Sequence, residues 1–435
     1  MSIKRPLASA AFLVCLAVAT VAAPSVALAG TATPSLATTT FPQTASAQQG
    51  ATWLARQLTP SGYVLSTTSP GQPDLVATAN VVLALASAGV DQRGAEAALT
   101  YLESHVGAYV TVSGSDGPGQ LALLILDAHA LGVDPRLFGG TDLVARLLAT
   151  ERTSGPDAGL FGIQDPSFDG AFRQGLSLAA LAAVGVTAPS QVGTADAWLA
   201  GQQCPDGGWT SYITVSNPCN GNPASFVGPD TNSTALAVQG LVAQGALGPS
   251  GAASALTFIS GGQDADGGWG FEPNALGAPG STDPDSTALV IQAIVALGLS
   301  PSAARFNQGS ANPVSTLLSF QLASGPGQGA FFFPGTTDPN LLATYQSVPA
   351  AAGVILPFVA TFPGRGYWLV AADGGIFSYG DAAFAGSLGG SKLNKPIVGM
   401  ASTPDGKGYW LVAADGGIFS YGDAAFAGSL GGSPL

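Results

Sequence analysis

Aspartates stand just before the most apolar segments of this chain, where a carboxylate can do chemistry or cap a helix. There are six of them: Asp74, Asp116, Asp169, Asp230, Asp283 and Asp338. At a helix start, a carboxylate accepts hydrogen bonds from free backbone N–H groups and meets the positive end of the helix dipole. If six helices begin at one mouth of a barrel, the same side chains form an acidic ring for a cation or a polar ligand. The two interpretations, helix capping and an acidic binding site, are compatible with each other.

Three of the six aspartates, Asp74, Asp230 and Asp283, share the frame D-x-x-x-T-A. The frame at Asp283 reads DPDSTA and contains a second acid, Asp285. A carboxylic acid that is kept dry and protonated can donate its proton to a substrate, so Asp285 is a candidate proton donor beside Asp283. The parallel frame DTNSTA has no acid at this position, which favours a structural cap.

Two kinds of helix alternate along the chain and would position these aspartates. Amphipathic segments with apolar residues at i, i+3 and i+4 are predicted at Ala51–Leu58, Ala95–Val106, Thr141–Thr150, Gly193–Gln203, Gly251–Ser260 and Pro313–Ala323. Segments apolar on every side, typical of buried helices, follow at Val76–Val90, Gln120–Val133, Gly175–Val184, Ser233–Gly245, Ser286–Leu299 and Leu341–Val354. The alternation predicts a mainly α fold, an (α/α)6 toroid of six inner and six outer helices.

Aromatic residues follow the amphipathic segments. The pattern Q-x-x-x-G-x-W occurs twice, at Gln203, Gly207 and Trp209 and at Gln263, Gly267 and Trp269. We interpret the tryptophans as staples between the end of an outer helix and the next loop. Further phenylalanines are expected in loops, where they would line an apolar pocket or plug the barrel: Phe161, Phe168, Phe172, Phe271, Phe331, Phe332 and Phe333.

The first 29 residues have the pattern of a secretory signal. Lys4 and Arg5 give a charged start, an apolar run follows, and Ala27-Leu28-Ala29 provides small residues for cleavage. Residues 30–48 are rich in Thr, Ala and Ser and predict a flexible linker before the helical domain at 49–360. Since no stretch is long enough for a stable membrane span, we expect a secreted or cell-surface protein.

Two cysteines, Cys204 and Cys219, remain after the signal segment, which contains Cys15. In an oxidising compartment a pair of cysteines predicts a disulfide, which could stabilise the fold by roughly 3 kcal/mol. A metal site would need further ligands, and neither His105 nor His129 has zinc-type spacing to a cysteine. No metal or cofactor is therefore expected.

The charge of the chain excludes several classes of partner. Its formal net charge is −13, and no lysine occurs between Gly30 and Ala360. Nucleic acids and anionic membrane surfaces require clustered Lys and Arg, so neither is an expected partner. Diphosphate substrates also need cationic clamps, and this composition fits them poorly.

The C-terminal part, residues 361–435, changes to a strand-type composition. The sequence GYWLVAADGGIFSYGDAAFAGSLGGS occurs at Gly366–Ser391 and again, letter for letter, at Gly408–Ser433. Alternating segments between Asp-Gly-Gly and Pro-Asp-Gly turns predict strands at Tyr367–Ala371, Ile376–Tyr379 and Ile397–Ser402. We expect about four strands per unit in a propeller-like blade, truncated or paired with another copy or with the helical domain.

Together, the Q-x-x-x-G-x-W repeats and the alternating helices resemble the terpenoid cyclase and protein prenyltransferase superfamily of α/α toroids. The resemblance covers about Ala51–Ala360, and the C-terminal units resemble tandem repeats of exported bacterial surface proteins. It implies a toroid, but this fold hosts cyclases, prenyltransferases, thioester proteins and vitamin carriers. Class II cyclases of this superfamily carry D-x-D-D-T-A. Asp283 and Asp285 match that motif, whereas Ser286 replaces its last acid.

From the sequence we expect a non-catalytic protein that binds a small apolar or polar-apolar ligand, or a cell-surface component, while the β repeats mediate attachment or assembly. The first alternative is a single-barrel cyclase or isomerase with Asp285 as proton donor. The second is a carbohydrate-active (α/α)6 enzyme, which needs a carboxylate pair in an aromatic cleft. Its candidates are Asp157, Asp165, Asp264, Asp266, Glu272 and Tyr345.

Overall fold

The structure is a computed structural model that describes residues 41–112, 114–162, 169–187, 192–211, 219, 228–272, 282–362, 366–379, 382–403 and 406–431. The predicted signal segment at 1–29 and the first part of the predicted linker lie outside these residues. The chain divides into two compact units, Met1–Ala360 and Thr361–Leu435. The first is mainly helical with very short antiparallel hairpins, and the second consists of small antiparallel sheets.

Thirteen α-helices lie in the described part of the first unit. They are α1 (Thr44–Ala55), α2 (Leu75–Ala88), α3 (Gln92–Ser104), α4 (Val106–Val110), α5 (Pro118–Ala130), α6 (Leu143–Ala149), α7 (Ala171–Ala183), α8 (Gly193–Gly201), α9 (Thr231–Ala243), α10 (Pro249–Gly261), α11 (Pro284–Ala296), α12 (Pro313–Ser319) and α13 (Leu341–Ala351). Each of the twelve predicted segments overlaps one of them, and only the short α4 was not expected. No described helix has the length and apolar character needed to cross a bilayer.

Six apolar helices contact one another in a closed series: α2, α5, α7, α9, α11 and α13. Along this series each helix packs against the next, and α13 packs against α2. Almost every residue of α5, α9 and α11 is buried. The amphipathic helices pack outside this series: α10 contacts α9, and only Ala255, Phe258 and Ile259 of α10 are buried.

A glycine in the left-handed region follows each of these six apolar helices, with φ between 64° and 74°. These residues are Gly89, Gly132, Gly185, Gly245, Gly298 and Gly353. Glycine has no Cβ and adopts a positive φ without a steric clash. A residue in this conformation ends the helix, and the N–H groups that follow donate to the last carbonyls of the helix. After α2, for example, Val90 N donates to Leu85 O at 3.1 Å. The chain therefore leaves every inner helix in the same way.

Three very short hairpins carry the chain into the inner helices. They pair β1 (Val64–Leu65) with β2 (Pro73–Asp74), β3 (Thr111–Val112) with β4 (Ser115–Asp116), and β5 (Trp209–Thr210) with β6 (Pro229–Asp230). The second strand of each hairpin ends at one of the predicted mouth aspartates. These aspartates are thus fixed by backbone pairing on one side and by a helix start on the other.

Helix α1 begins at Thr44, within the stretch expected to be a linker. Its small residues Ala47, Gly50 and Ala51 are buried, and α1 packs against α2 and α13. A Cβ on Gly50 would meet Val348 Cγ2 at 2.7 Å, so the closeness of α13 requires a residue this small. A composition typical of a linker is here the composition of a tightly packed helix.

Five strands lie in the described part of the second unit. They are β7 (Tyr367–Val370), β8 (Ile376–Tyr379), β9 (Ile397–Ser402), β10 (Gly408–Ala413) and β11 (Ile418–Gly422). Strands β7 and β8 form one hairpin, and the other three form a sheet in the order β11-β10-β9. The three predicted strands are confirmed. Instead of about four strands per unit, however, the described residues of the first repeat contain three, and β9 pairs with the hairpin of the second repeat.

Candidate functional site

The start of α11 holds the two acids of the DPDSTA frame in different environments. Asp283 is the N-cap: its Oδ1 accepts from Ser286 N at 2.7 Å, and its Oδ2 accepts from Ser286 Oγ at 2.9 Å. Burial raises the pKa of Asp283 to about 6, although these hydrogen bonds act in the opposite direction. Asp283 thus caps the helix, as one of the two interpretations predicted.

Asp285 lies in the first turn of α11 and is completely buried. Neither of its carboxyl oxygens has a hydrogen-bond partner. Burial raises the pKa of Asp285 well above its usual range, and the nearby charge of Asp283 adds to the effect. Burial without a hydrogen-bond partner therefore favours the neutral, protonated form of this side chain.

The neighbouring helix α9 has an amide at the equivalent position. Asp230 caps α9 by accepting from Ser233 N at 2.7 Å, and Ser211 Oγ donates to its other oxygen at 2.7 Å. Two residues later, where α11 has Asp285, α9 has Asn232, which is buried and whose Oδ1 has no partner. The neighbouring helices α11 and α9 thus have an unpartnered acid and an unpartnered amide oxygen at the same position of their first turns.

A second buried acid lies on α5 and was not singled out from the sequence. Asp127 has no exposed surface, and neither of its carboxyl oxygens has a partner. Burial raises its pKa well above the usual range. Gln120 lies two helical turns earlier, and its Oε1 is also buried without a partner. The available signal in the sequence was an ionisable residue inside an otherwise apolar helix and not before its start.

Tyr109 on α4 belongs to the same region, since α4 packs against α5. Its hydroxyl is buried and has no partner. Burial raises the pKa of Tyr109 well above its usual range, with further contributions from Asp127, Tyr345 and Asp74. These three residues belong to α5, α13 and the start of α2, which are consecutive in the closed order. The Tyr109 hydroxyl is therefore close to three inner helices at once.

The predicted acidic ring of free carboxylates is not formed by the other members of the set. Asp116 pairs with Arg146, and α5 begins at Gly117 without a side-chain cap. Asp169 is buried and pairs with both Arg152 and Arg173. Both carboxylates are thus engaged in ion pairs with arginine and are not free members of the predicted ring.

Capping is confirmed for Asp74, Asp230 and Asp283, the three residues in the D-x-x-x-T-A frame. It is wrong for Asp116 and Asp169, since the N-caps of α5 and α7 are Gly117 and Gly170. It is also wrong for Asp338, which is exposed: Asn340 caps α13 and accepts from Ala343 N at 3.0 Å. An asparagine accepts the same backbone bond as an aspartate, and Asn340 is followed by Thr344 at the spacing of the frame, but Tyr345 stands in the place of its alanine. Within the described residues, no group of three or more His, Cys, Asp and Glu could hold a metal ion.

The Q-x-x-x-G-x-W residues join turns, helices and neighbouring repeats. Gln263 Nε2 donates to Gly267 O at 2.9 Å and to Phe306 O at 2.8 Å, and Gln203 Nε2 donates to Gly207 O and to Gly251 O. Trp269 Nε1 donates to Ile259 O at 2.8 Å, and Trp209 Nε1 donates to Leu199 O. Both indoles are buried, so these side chains act as staples.

The predicted pocket-lining phenylalanines have different roles. Phe161 and Phe331 are fully buried at the turns that follow α6 and α12, in the place of the tryptophans. Phe172 lies on α7 and not in a loop. Phe271 and Phe332 are half-buried, and Phe332 packs edge-on against Phe320 with ring centroids 5.9 Å apart. Phe168 lies outside the described residues.

The carboxylates considered for a carbohydrate-active site have structural partners. Thr282 Oγ1 donates to Asp264 Oδ2 and to Asp266 Oδ1, each at 2.8 Å, which fixes the DGGW turn. Asp157 pairs with Arg152, while Asp165 lies outside the described residues. Glu272 is half-buried, and its Oε1 has no partner. Tyr345 is buried on α13 and belongs to the Tyr109 region.

The predicted disulfide is present between Cys204 and Cys219, whose Cα atoms are 5.3 Å apart. The two cysteines are 15 residues apart, and the segment that they close contains the DGGW turn at residues 206–209. The bridge therefore restrains one of the turns from which an inner helix starts.

Comparisons with known proteins give structural likenesses only, since no protein-family model and no curated protein sequence matches the chain. A protein from Actinoplanes is 17% identical, with 72% of this chain and 99% of that chain covered at a TM-score of 0.48. The apo type II terpene cyclase MstE from Scytonema is 15% identical, with 73% and 98% covered at a TM-score of 0.48. The ent-copalyl diphosphate synthase from Streptomyces platensis is 19% identical, with 64% and 49% covered at a TM-score of 0.39. Because identities and TM-scores are low, these likenesses assign no activity to this chain.

Proposed function

We propose that the helical unit is an (α/α)6 toroid and that it binds an uncharged, unsaturated ligand, to which Asp285 donates a proton. The observation that carries this proposal is the buried carboxyl of Asp285, whose two oxygens have no partner. Burying a polar group without a hydrogen bond is costly, so such a group in a folded protein calls for an explanation. Strongly perturbed acids occur preferentially at functional sites.

The six-fold toroid is supported by the closed order of inner helices and by the bonds between outer elements. Gln203 of the α8 turn reaches Gly251 of α10, and Gln263 of the α10 turn reaches Phe306 before α12. Gln321, after α12, donates to Ser46 O in α1 at 2.9 Å. A series in which the last member bonds to the first is the arrangement expected of a ring.

The reaction would proceed by proton transfer to a carbon–carbon double bond. The O–H bond of Asp285 breaks and leaves its electron pair on the carboxylate, while the π electrons of the alkene form a new C–H bond. A tertiary carbocation results, and it rearranges or cyclises before it returns a proton to the carboxylate. Asp285 needs a dry, apolar environment for this step, and complete burial on α11 provides it.

The charges of the unit favour a ligand without phosphate. The helical unit has no lysine after the predicted signal, and its Arg146, Arg152 and Arg173 already pair with aspartates. Phosphate groups need free cationic partners. The unpartnered polar groups of Asn232, Asp127 and Tyr109 suggest instead that one end of the ligand carries a hydroxyl or carbonyl group.

The test is solvent-deuterium incorporation by the chain without residues 1–29, with squalene and geranylgeraniol as probes in deuterium oxide. We expect a product with carbon-bound deuterium from the wild type and none from Asp285→Asn. This variant recreates the DxNST frame that α9 already folds with, so its helix start should be preserved. Asp338→Asn, which changes an exposed carboxyl, is the matched control and should retain turnover.

Equal deuteration by the wild type and by Asp285→Asn would exclude Asp285 as the donor. Infrared spectroscopy at neutral pH adds a readout that needs no substrate, because the carbonyl band of a neutral acid should weaken in Asp285→Asn. If that band is unchanged, the acid is ionised and the proposal fails.

The second candidate is the non-catalytic binding that the sequence alone favoured. It is supported by the unpartnered amide oxygens of Gln120 and Asn232, which can accept a hydrogen bond from a ligand but cannot protonate it. Saturable binding of either probe without turnover, by wild type and Asp285→Asn alike, would favour this candidate. For both candidates we propose export, which the predicted signal and the Cys204–Cys219 disulfide support.

A further inference from the structure

The two C-terminal repeats are identical in sequence but differ in what covers them. The tyrosine face of the second repeat consists of Tyr409, Leu411, Phe419 and Tyr421. Tyr409 and Leu411 have no exposed surface. In the first repeat the same positions are Tyr367, Leu369, Phe377 and Tyr379, and their side chains are 54%, 52%, 55% and 45% exposed. Since the sequences are identical, this difference must come from the surroundings.

The first repeat itself covers the tyrosine face of the second one. Its covering loop, residues 382–388, lies on this face: Ala385 N donates to the Tyr409 hydroxyl, which in turn donates to Gly386 O. Gly386 lies so close to the ring of Tyr421 that an added Cβ would be 2.2 Å from it. Trp368 packs against Tyr409 with ring centroids 5.3 Å apart, and Leu388 joins the same core.

The second repeat has the same loop, but here it covers nothing. This second covering loop, residues 424–430, has the sequence of the first, and Leu430 in it is 55% exposed. An added Cβ on Gly428 would meet no atom within 4 Å, in contrast to Gly386. Each molecule therefore has one free covering loop and one uncovered tyrosine face.

The uncovered tyrosine face and the free covering loop keep the internal hydrogen bonds of their counterparts at the contact between the two repeats. Trp368 Nε1 donates to Ala383 O at 3.0 Å, and Trp410 Nε1 donates to Ala425 O at 2.9 Å. Leu388 N and Leu430 N bond to Gly374 O and Gly416 O in the same way. The rings of Tyr367 and Tyr379 are stacked 5.0 Å apart at 17°, whereas the covered rings of Tyr409 and Tyr421 are 5.5 Å apart and tilted by 39°. Apart from this change in ring tilt, docking would require little reordering, which lowers its entropic cost.

We propose that a second copy of this chain covers the tyrosine face of the first repeat, its covering loop 424–430 seated on Tyr367 and Tyr379. The identical loop 382–388 binds the same face of the second repeat, and both proposed surfaces are uncharged and apolar, as their internal counterparts are. Because each molecule offers a loop at one end and a face at the other, the contact is head-to-tail. Such heterologous contacts extend into open chains unless their rotation closes a ring.

The test is sedimentation of the exported chain over a range of concentrations, with two variants that each remove one half of the contact. Tyr367→Asp removes the face and Leu430→Asp removes the loop; both positions are more than half exposed, so folding should be unaffected. The wild type should show a mass that rises with concentration, and each variant alone should remain monomeric. A mixture of the two variants should form a dimer and nothing larger, because the intact loop of Tyr367→Asp can bind the intact face of Leu430→Asp and no further contact is possible.

The matched control is Leu137→Asp, which places the same charge at a 75% exposed leucine of the helical unit. It should associate as the wild type does. A wild type that stays monomeric at every concentration, or variants that still associate alone, would overturn the proposal. So would a mixture that stays monomeric. Association of Leu430→Asp alone would indicate a symmetric face-to-face contact instead.

Discussion

Asp285 and Asn232 occupy equivalent positions in α11 and α9, but an acid can protonate a ligand and an amide cannot. The acid therefore distinguishes the catalytic proposal from non-catalytic binding. The sequence singles out Asp285 through its frame, but it cannot show that burial leaves the carboxyl without a partner, because burial depends on helices far along the chain. Asp127 was not predicted at all, for it stands inside an apolar helix rather than before one. The capping residues were predictable wherever Asp and Thr share the D-x-x-x-T-A frame.

At the residue scale, the raised pKa of Asp285 predicts a stability that falls as the pH rises. In the unfolded chain an aspartate loses its proton near pH 3.9, whereas in the folded chain Asp285 keeps it to a much higher pH. Between these two pKa values the unfolded state binds fewer protons, so the free energy of unfolding decreases with rising pH. Asp285→Asn should flatten this dependence, as measured by urea unfolding from pH 4 to pH 7.

Asp338→Asn again serves as the comparison, because its carboxyl is exposed and the variant should retain the wild-type slope. Asp127, whose pKa burial also raises, will leave some pH dependence in Asp285→Asn. An identical slope in the wild type and in Asp285→Asn would show that Asp285 is ionised in the folded chain.

At the scale of elements, a threonine joins the turn after an outer helix to the following inner helix. Trp209 N donates to Thr234 Oγ1, Trp269 N to Thr287 Oγ1 and Phe331 N to Thr344 Oγ1, at 2.9, 3.0 and 2.8 Å. The sequence showed the tryptophans and the threonines as two separate patterns. Their pairing was not predictable, because the intervening loops differ in length and the bond forms only when the turn packs on the helix.

Thr287→Val should destabilise the helical unit by about 1–3 kcal/mol. The variant keeps the volume of the side chain but leaves the buried Trp269 N–H without its partner, whereas Trp269 O keeps its bond from Asp283 N. The measurement is the free energy of unfolding from urea titration. Thr257→Val is the control: this threonine is exposed and bonds within its own helix, so a change within about 0.5 kcal/mol is expected. Equal effects of both variants would contradict the role of Thr287.

At the scale of the whole helical unit, the sequence predicted the alternation of helices but not which residues connect the last outer helix to the first. The residues that join the last outer helix to the first helix are Gln321 and Ser46, and the latter lay in a stretch expected to be a linker. Their separation of 275 residues is beyond any local pattern. A Cβ on Gly329 would be 2.4 Å from Gln49 O, which shows how closely α1 fits the last turn.

Gln321→Ala should loosen α1 more than any other helix. It removes the bonds to Ser46 O and Gly329 O, so amide hydrogen exchange should become faster in Thr44–Ala55 while α9 stays protected. Gln57→Ala is the control, since Gln57 bonds only to Trp53 O within its own turn. Unchanged protection of α1 in Gln321→Ala would indicate that packing against α13 alone holds it.

The position of α1 also has a consequence for the order in which the protein is made. This helix leaves the ribosome first, but α13, on which it packs, is among the last elements of the helical unit to be synthesised. Until then its buried face of small residues has only α2 to cover it. Contacts between such distant segments form slowly, since a long loop must close before they are made. The nascent helical unit therefore stays incomplete, and exposed to chaperones, for nearly the whole of its translation.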